Sequence, residues 1–291
     1  MRNFEKLFSN NFDIMKTIEE LSKIASQVRR DIVRMVNAAG CGHPGGSMSS
    51  TDILVTLFFN VMKQDPASWK RSAEGQDAFI LSAGHLAPVY YSVLARAGYF
   101  PKEDLGSLRR FGSKLQGHPS VGLPGVFQPS GSLGQGVAAA AGIALGKKLS
   151  GDGNFVYVLC GDGESEEGEI WESATFAAHH GLDNLVAMTD YNHQQIDGSI
   201  EDVAGLSSLA DRWLAFGWDV IEAEGHDFES IQNAFALAKR QDGKPTMILF
   251  NTEMGHGVDF MAGTHEWHGK APNAEQTAQA LAQLEETLGD Y

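Results

Sequence analysis

Residues 155–163, with the sequence Phe-Val-Tyr-Val-Leu-Cys-Gly-Asp-Gly, decide the fold of this chain. The first six are apolar and rich in β-branched or aromatic side chains, and glycine bounds them, which predicts a buried strand. Further strands are predicted at 185–189, 218–222 and 246–250, and helical patterns separate them at 133–149, 168–180, 206–216 and 227–241. Strands that alternate with helices predict an α/β fold, with a mainly parallel sheet that carries helices on both faces.

The rest of the chain is predicted to be helical at both ends. Apolar residues recur every three or four positions from Ile18 to about Ala39, and a second helix runs from about residue 50 to residue 62. A third pattern at 273–288 closes the chain. We interpret residues 1–15 as an N-terminal arm and residues 16–291 as a single domain.

Composition limits the possible partners. The 291 residues carry 22 basic and 37 acidic side chains, for a net charge of −15, so nucleic acids and anionic membranes are not expected partners. No apolar run approaches the ~20 residues of a membrane span. Two cysteines cannot form a disulfide framework, and the sequence therefore favours a cytoplasmic protein.

Polar side chains follow two of the predicted strands. Asp162 stands directly after the first, and the glycine at Gly163 lets the backbone approach a phosphate. Asn192 follows the next strand and offers a carbonyl oxygen, and Gln194 offers a backbone oxygen. With two diphosphate oxygens, these groups would fill most of an octahedral Mg²⁺ site. The Gly-Asp-Gly triplet alone would be better explained as a strand–helix turn, with Asn192 as a capping residue. Because Asn192 stands at the matching position after the adjacent strand, the two together favour a site for a metal ion and a diphosphate.

Four of the ten histidines follow glycine-containing turns: His43, His85, His118 and His265. A single histidine of this kind is usually satisfied by a backbone partner. Several that converge would suit proton transfer to and from sugar hydroxyls at neutral pH.

Five motifs give the chain a specific resemblance. Gly-Asp-Gly at 161–163 with Asn192 resembles the motif of enzymes that depend on thiamine diphosphate (ThDP). Four further segments, spread in order along the chain, resemble the amino-terminal part of transketolase: Gly-His-Pro-Gly-Gly at 42–46, Ser-Ala-Gly-His at 82–85, Gly-His-Pro at 117–119 with Gly-Ser-Leu-Gly-Gln-Gly at 131–136, and Gly-Thr-His-Glu-Trp-His-Gly at 263–269.

The resemblance implies roles for particular residues. Asp162, Asn192 and Gln194 would bind Mg²⁺, or Ca²⁺ or Mn²⁺ in its place, and His43, His118 and His265 would face the donor sugar as catalytic residues. His85 and His265 would lie close to the diphosphate, and Glu167 would join an acidic network across a subunit interface. The other cofactor-binding positions are Gly131, Ser132 (where the family usually has proline), Leu133, Gly163 and Ile196.

The resemblance also implies a partner. In transketolase the carboxylate that activates ThDP lies in a second, pyrimidine-binding domain, and the full-length enzymes are more than twice as long as this chain. We therefore expect the amino-terminal subunit of a two-chain transketolase, inactive alone and assembled as a dimer of heterodimers. Its partner would carry the pyrimidine-binding and C-terminal domains. Together they would move a two-carbon ketol unit from a ketose phosphate to an aldose acceptor.

Three alternatives stay open at this point. The chain could be the α-subunit of another ThDP enzyme, of the 2-oxo acid dehydrogenase or deoxyxylulose-phosphate synthase type. It could instead be a non-catalytic protein that binds ThDP and Mg²⁺, although such a protein has no use for histidines facing a sugar. A Mg²⁺-dependent phosphohydrolase built on Asp162 and Glu164 would leave the same histidines without a role.

Overall fold

A parallel sheet of five strands organises the molecule. The computed structural model describes residues 15–205 and 207–291. In chain order the sheet strands are β1 (Ala78–Leu81), β2 (Val156–Gly161), β3 (Leu185–Tyr191), β6 (Asp219–Glu224) and β7 (Thr246–Asn251), and their spatial order is β1-β2-β3-β7-β6. The short strands β4 (Gln194–Gln195) and β5 (Gly198–Ser199) form a separate antiparallel hairpin directly after β3. The α/β fold predicted from the sequence is confirmed.

Both faces of the sheet are apolar, which explains why its strands appear in the sequence as continuous apolar runs. Along β2, Tyr157 and Leu159 belong to one core cluster, whereas Val156, Val158 and Cys160 belong to the cluster on the other face. Because successive side chains of a strand point to opposite faces, each strand contributes to both cores.

Helices and short turns cover these two faces. The α-helices are α1 (Ile18–Ala39), α2 (Pro44–Ser49), α3 (Thr51–Thr56), α4 (Ala87–Arg96), α5 (Gln135–Ser150), α6 (Gly168–His179), α7 (Ile200–Ala204), α8 (Leu209–Ala215), α9 (Phe228–Ala238) and α10 (Ala274–Gln283). A π-helical turn extends α3 over Leu57–Val61, and 3₁₀ turns occupy Gly84–Leu86, Lys102–Ser107, Gly163–Glu166 and His265–Trp267. Among the described residues, none of these helices is both long and apolar enough to cross a membrane.

Local chemistry fixes the ends of α1, which the sequence predicts correctly. Thr17 and Glu20 form a reciprocal capping box at its start, and Gly40 ends it in the left-handed conformation with φ of 65°. The helix then buries its apolar face, including Leu21, Val28 and Ile32, in the larger core cluster.

Three boundaries differ from the sequence predictions. The predicted helix at 273–288 ends at Gln283, because the segment after it is held by a distant ion pair between Asp290 and Arg30 at 2.8 Å. The predicted second helix is preceded by α2, which the sequence does not predict because the glycines at 45 and 46 have low helix propensity. Helix α8 begins at Leu209 behind a Ser208 cap, and residue 206 of its predicted range lies outside the described residues. The predicted arm, residues 1–15, also lies outside them except for Met15.

Candidate active site

The carboxyl ends of β1, β2 and β3 meet at one cavity of about 280 Å³. This is where parallel α/β sheets usually bind ligands. Nine of the residues that the sequence singles out line it: His43, His85, Gly131, Leu133, Asp162, Gly163, Asn192, Gln194 and Ile196.

The register of the sheet brings Asp162 and Asn192 together. Gly161 at the end of β2 pairs with Asp190 in β3, so the residues that follow the two strands are neighbours. The Asp162 carboxylate accepts a hydrogen bond from the His193 amide at 2.6 Å and one from the Gly163 amide at 2.8 Å. The Asn192 Oδ1 atom accepts one from the Gln194 amide at 3.0 Å.

A second buried carboxylate, Asp190, lies behind this pair and was not assigned a role from the sequence. It accepts hydrogen bonds from the hydroxyls of Ser49 and Ser50 at 2.6 and 2.9 Å, from the hydroxyl of Thr252, and from the amide nitrogen of Asn192 at 3.1 Å. Because the Asn192 nitrogen is committed to Asp190, its oxygen is directed away from that carboxylate. The sequence signal for Asp190 is an acid inside an otherwise apolar strand.

The electrostatics of this corner favour a cation. Burial, and then the neighbouring Asp190 charge, raise the pKa of Asp162 well above its usual range. The donors that hold the two carboxylates are neutral amides and hydroxyls. A divalent cation would compensate the two negative charges, and carboxylate and carbonyl oxygens are the ligands that Mg²⁺ and Ca²⁺ prefer. The residues present therefore fit such an ion.

Three histidine rings that line the same cavity pack together. The ring centroids of His43 and His85 lie 5.2 Å apart, those of His43 and His268 5.7 Å, and those of His85 and His268 5.1 Å. Among the described residues, neither His43 Nδ1 nor His268 Nδ1 has a hydrogen-bond partner, although both atoms are buried. Unpaired buried ring nitrogens leave this group ready to bind a polar ligand.

Burial keeps these histidines neutral at physiological pH. It lowers the pKa of His43 to about 4 and that of His85 to about 3, and nearby histidines add to both effects. The pKa of His268 is also lowered, mainly by burial. A neutral imidazole has one donor and one acceptor nitrogen, so each ring could bind a hydroxyl or take up a proton.

Four predicted site residues do not line the cavity. Ser132 and Glu167 are exposed. His118 is also exposed, but it lies beside the cavity: a Cβ built on Gly131 would be 3.7 Å from its ring. His265, the fourth, does not line the cavity as the resemblance implies. Residues 265–267 form a 3₁₀ turn that buries Trp267 against Phe260, and this turn directs His268, not His265, onto the other two histidines.

A cation beside the histidines, Arg109, was not predicted from the sequence. Arg109 has φ of 58°, its guanidinium packs against Gly117, and its Nη1 atom lies 3.7 Å from the Cys41 sulfur. Its charge contributes to the lowered pKa values of His43 and His118, in each case after burial. A positive charge therefore lies near these histidines on a chain that is acidic overall.

A separate cluster of Asp52, His226 and His256 resembles a metal site but is already saturated. Arg29 makes two hydrogen bonds to Asp52, at 2.9 and 2.6 Å, one to each carboxylate oxygen. The Nε2 atom of His226 accepts from the Glu253 amide at 2.9 Å, so its Nδ1 carries the proton and donates to Asp52. Metal binding at Nδ1 would require the other tautomer, and we interpret the cluster as a structural ion pair.

The cavity at the strand ends, with its carboxylate and amide oxygens beside glycine-rich loops, has the features of a site that could hold a phosphate-containing ligand. Residues 21–288 match the family model described as transketolase, thiamine diphosphate binding domain. The chain belongs to this family, and the resemblance seen in the sequence motifs is confirmed.

Similar proteins include separate transketolase subunits. The chain is 41% identical over 269 residues to the 6-deoxy-6-sulfo-D-fructose transketolase subunit SqwG of Clostridium sp. (strain MSTE9), covering 91% of this chain and 96% of that protein. It is 37% identical to an apulose-4-phosphate transketolase subunit of Phocaeicola vulgatus, covering 93% and 96%.

Solved structures of longer transketolases share the fold. The transketolase from Leishmania mexicana superposes with a TM-score of 0.87 at 31% identity, covering 96% of this chain and 43% of that one. The transketolase from Campylobacter jejuni gives a TM-score of 0.86 at 32% identity, covering 92% and 43%. The chain thus spans less than half the length of these enzymes.

Proposed function

We propose that the chain is the amino-terminal, ThDP-binding subunit of a two-chain transketolase. With a separate carboxyl-terminal chain it transfers a two-carbon ketol unit from a ketose phosphate to an aldose acceptor. The observation that carries the proposal is that one cavity is lined both by an oxygen-rich, doubly acidic corner and by a group of neutral histidines. Near full-length matches to separately encoded transketolase subunits support it.

In this proposal the acidic corner holds the cofactor through a metal ion. Asp162, Asn192 Oδ1 and the Gln194 carbonyl would bind Mg²⁺, or Ca²⁺ or Mn²⁺, together with the diphosphate. Gly163 leaves room there, since a Cβ at this position would lie 3.2 Å from Gln195 Cβ. Bound ThDP would supply a nucleophilic carbon that attacks the carbonyl of the donor sugar.

Gly131, Leu133 and Ile196 would contact the organic part of the cofactor. Gly131 and Leu133 come from the loop before α5, and Ile196 comes from the hairpin after β3. The Ile196 side chain is 60% exposed although it lines the cavity. An exposed apolar side chain at a ligand site suits a surface that cofactor and partner chain cover together.

The histidines would bind the sugar and move its protons. Neutral His43 and His268 line the cavity, and each has a ring nitrogen without a partner in the described part of the chain, which suits hydrogen bonds to hydroxyls and proton transfer at pH 7. His85 would lie nearer the diphosphate. Arg109, beside the histidines, would favour an anionic sugar, because opposite charge raises its local concentration. His118, whose pKa is lowered, would bind the sugar as a neutral imidazole. The relatives named above act on different sugars, so these residues define a substrate class and not one substrate.

The partner would complete the site. We propose a carboxyl-terminal transketolase subunit that brings the carboxylate activating ThDP, and a dimer of such heterodimers as the assembly. The exposed Glu167 is available for an acidic contact with another subunit. Residues 16–291 would form one domain, because one sheet with a core on each face accounts for the described chain.

The structure disfavours the phosphohydrolase alternative. Glu164, its second acid, is saturated by three hydrogen-bond donors of this chain and is not free to activate water. The match to the transketolase family also disfavours a dehydrogenase α-subunit.

Ketol transfer should be measured with ThDP and Mg²⁺ for the purified chain, for the carboxyl-terminal transketolase chain of the same organism, and for their mixture. We expect activity only in the mixture. Activity of the isolated chain would refute the need for a partner. An inactive mixture that still binds ThDP would instead support the non-catalytic binding protein.

A further inference from the structure

The Glu164 carboxylate joins three segments that surround the cavity. Its Oε1 atom accepts hydrogen bonds from the Ser82 hydroxyl, after β1, and from the Gly134 amide, at the start of α5, at 2.8 Å. Its Oε2 atom accepts one from the Gly161 amide, at the end of β2, at 3.0 Å. Only 3% of Glu164 is exposed, and it lines the cavity.

Each donor is close in sequence to a proposed ligand-binding residue. Gly161 immediately precedes Asp162, Gly134 immediately follows Leu133, and Ser82 stands three residues before His85. A change in the position of any donor would move the cofactor-binding residue beside it. Glu164 itself comes from the 3₁₀ turn after β2, so one side chain fixes the relative positions of three separate loops.

The loops are also packed so closely that they leave no room for a shift of their backbones. A Cβ on Gly136, in the first turn of α5, would lie 2.6 Å from the Ser82 Cβ atom. A Cβ on Gly84 would lie 3.0 Å from the Gly131 amide nitrogen. Backbone thus meets backbone between the β1 loop and the α5 loop, and a charged acceptor between them compensates the buried donors.

We propose that Glu164 is a positioning residue for ThDP: its buried carboxylate holds the loops after β1, after β2 and before α5 in the arrangement that binds the cofactor and its metal. This inference rests on the proposed function. Glu164 does not act as a catalytic acid or base, because both of its oxygens are occupied by donors of the chain.

The variant Glu164→Gln tests the proposal because it keeps the size of the side chain. An amide offers one carbonyl oxygen, so at least one of the three donors would face an NH₂ group. Asp77→Asn is the matched control. Asp77 is also buried and accepts from two backbone amides, those of Lys63 and Phe155, but it lies at the opposite end of the sheet.

The main readout is the Kd of ThDP, measured by calorimetry with Mg²⁺ on the chain mixed with its carboxyl-terminal partner. Urea unfolding of each variant measures its stability. We expect Glu164→Gln to raise the Kd of ThDP at least 10-fold, and Asp77→Asn to change it less than 2-fold at similar loss of stability. Equal Kd values for wild type and Glu164→Gln would overturn the proposal. So would an equal rise in both variants, because that would reflect stability alone.

If Glu164→Gln does not fold, a milder variant tests the positioning role. Ser82→Ala removes one donor and leaves the carboxylate with its two backbone partners, and we expect a 3- to 5-fold rise in the Kd of ThDP. An unchanged Kd there would refute the positioning role. If the wild-type mixture binds no ThDP, the proposed function fails and this inference fails with it. Wild-type binding with no effect of either variant would refute the inference alone.

Discussion

The Asp162 carboxylate accepts a 2.6 Å hydrogen bond from the backbone amide of His193, a residue 31 positions further along the chain. This contact ties the ends of β2 and β3 together at the corner where Asp190 is also buried. The carboxylate is therefore held in place before any ion binds. Its charge is nevertheless unfavourable, because burial and Asp190 both raise its pKa.

Asp162→Asn should separate metal binding from stability. We expect the Mg²⁺-dependent affinity for ThDP to fall at least 100-fold, because one anionic metal ligand is lost. The unfolding free energy without metal should change much less. The substitution removes a buried charge that no cation offsets, but it also leaves one of the two backbone amides that donate to Asp162 facing an NH₂ group. Calorimetry and urea unfolding measure the two quantities.

Asp242→Asn, an exposed change in the loop before β7 at the other end of the sheet, is the control for this experiment. It should alter neither quantity. Unchanged cofactor affinity in Asp162→Asn would show that the metal lies elsewhere.

Sequence patterns predict the sheet well because its strands are apolar on both faces and follow one another with regular helices between them. They also predict that Asp162 and Asn192 lie together at the edge of the sheet, since both stand directly after neighbouring strands. The role of Asp190 was not predicted, because its hydroxyl partners, Ser49 and Ser50, lie about 140 residues away in sequence. The role of Glu164 was not predicted, because acidic residues are common in the first turn after a strand, where the helix dipole stabilises them.

The contribution of His43 and His85 to the stability of the chain should fall as the pH decreases from about 6.5 to 4, whereas Asp162, whose pKa is raised, contributes in the opposite direction. Burial lowers the pKa of His85 to about 3 and that of His43 to about 4, so in this range the unfolded chain binds protons that the folded chain does not. The contribution of each histidine to stability therefore rises with pH, by up to about 1.4 kcal/mol per pH unit.

His85→Gln should flatten this dependence, because glutamine does not titrate. Urea unfolding at several pH values between 4.5 and 7.5 gives the slope for wild type and variant. His179→Gln, at an exposed position at the end of α6, is the matched control. A slope that His85→Gln leaves unaltered would show that His85 titrates normally in the folded chain.

Two glycines of α5 should respond oppositely to alanine. A Cβ on Gly136 would meet the Ser82 Cβ at 2.6 Å, whereas one on the exposed Gly142 has no neighbour within 4 Å among the described atoms. Gly142→Ala should stabilise the isolated chain by about 0.5–1 kcal/mol through helix propensity. Gly136→Ala should destabilise it by about 1–3 kcal/mol through overpacking. Urea unfolding measures both, and stabilisation by both changes would contradict the close approach of α5 to the β1 loop.

The motif at 263–269 contains two histidines, and the structure distinguishes them where the sequence does not. His268 packs on His85 and His43, and its buried Nδ1 atom has no partner among the residues that the structure describes. His265 stands at the start of the 3₁₀ turn and does not line the cavity. In the two-chain enzyme His268→Ala should lower kcat/KM for ketol transfer about 100-fold, the size expected when a general acid or base is lost. His265→Ala should lower it much less, and the Kd of ThDP should change little in His268→Ala. Steady-state kinetics with both variants, with urea unfolding to verify folding, checks this order. A larger loss in His265→Ala would restore the role that the motif alone assigned to His265.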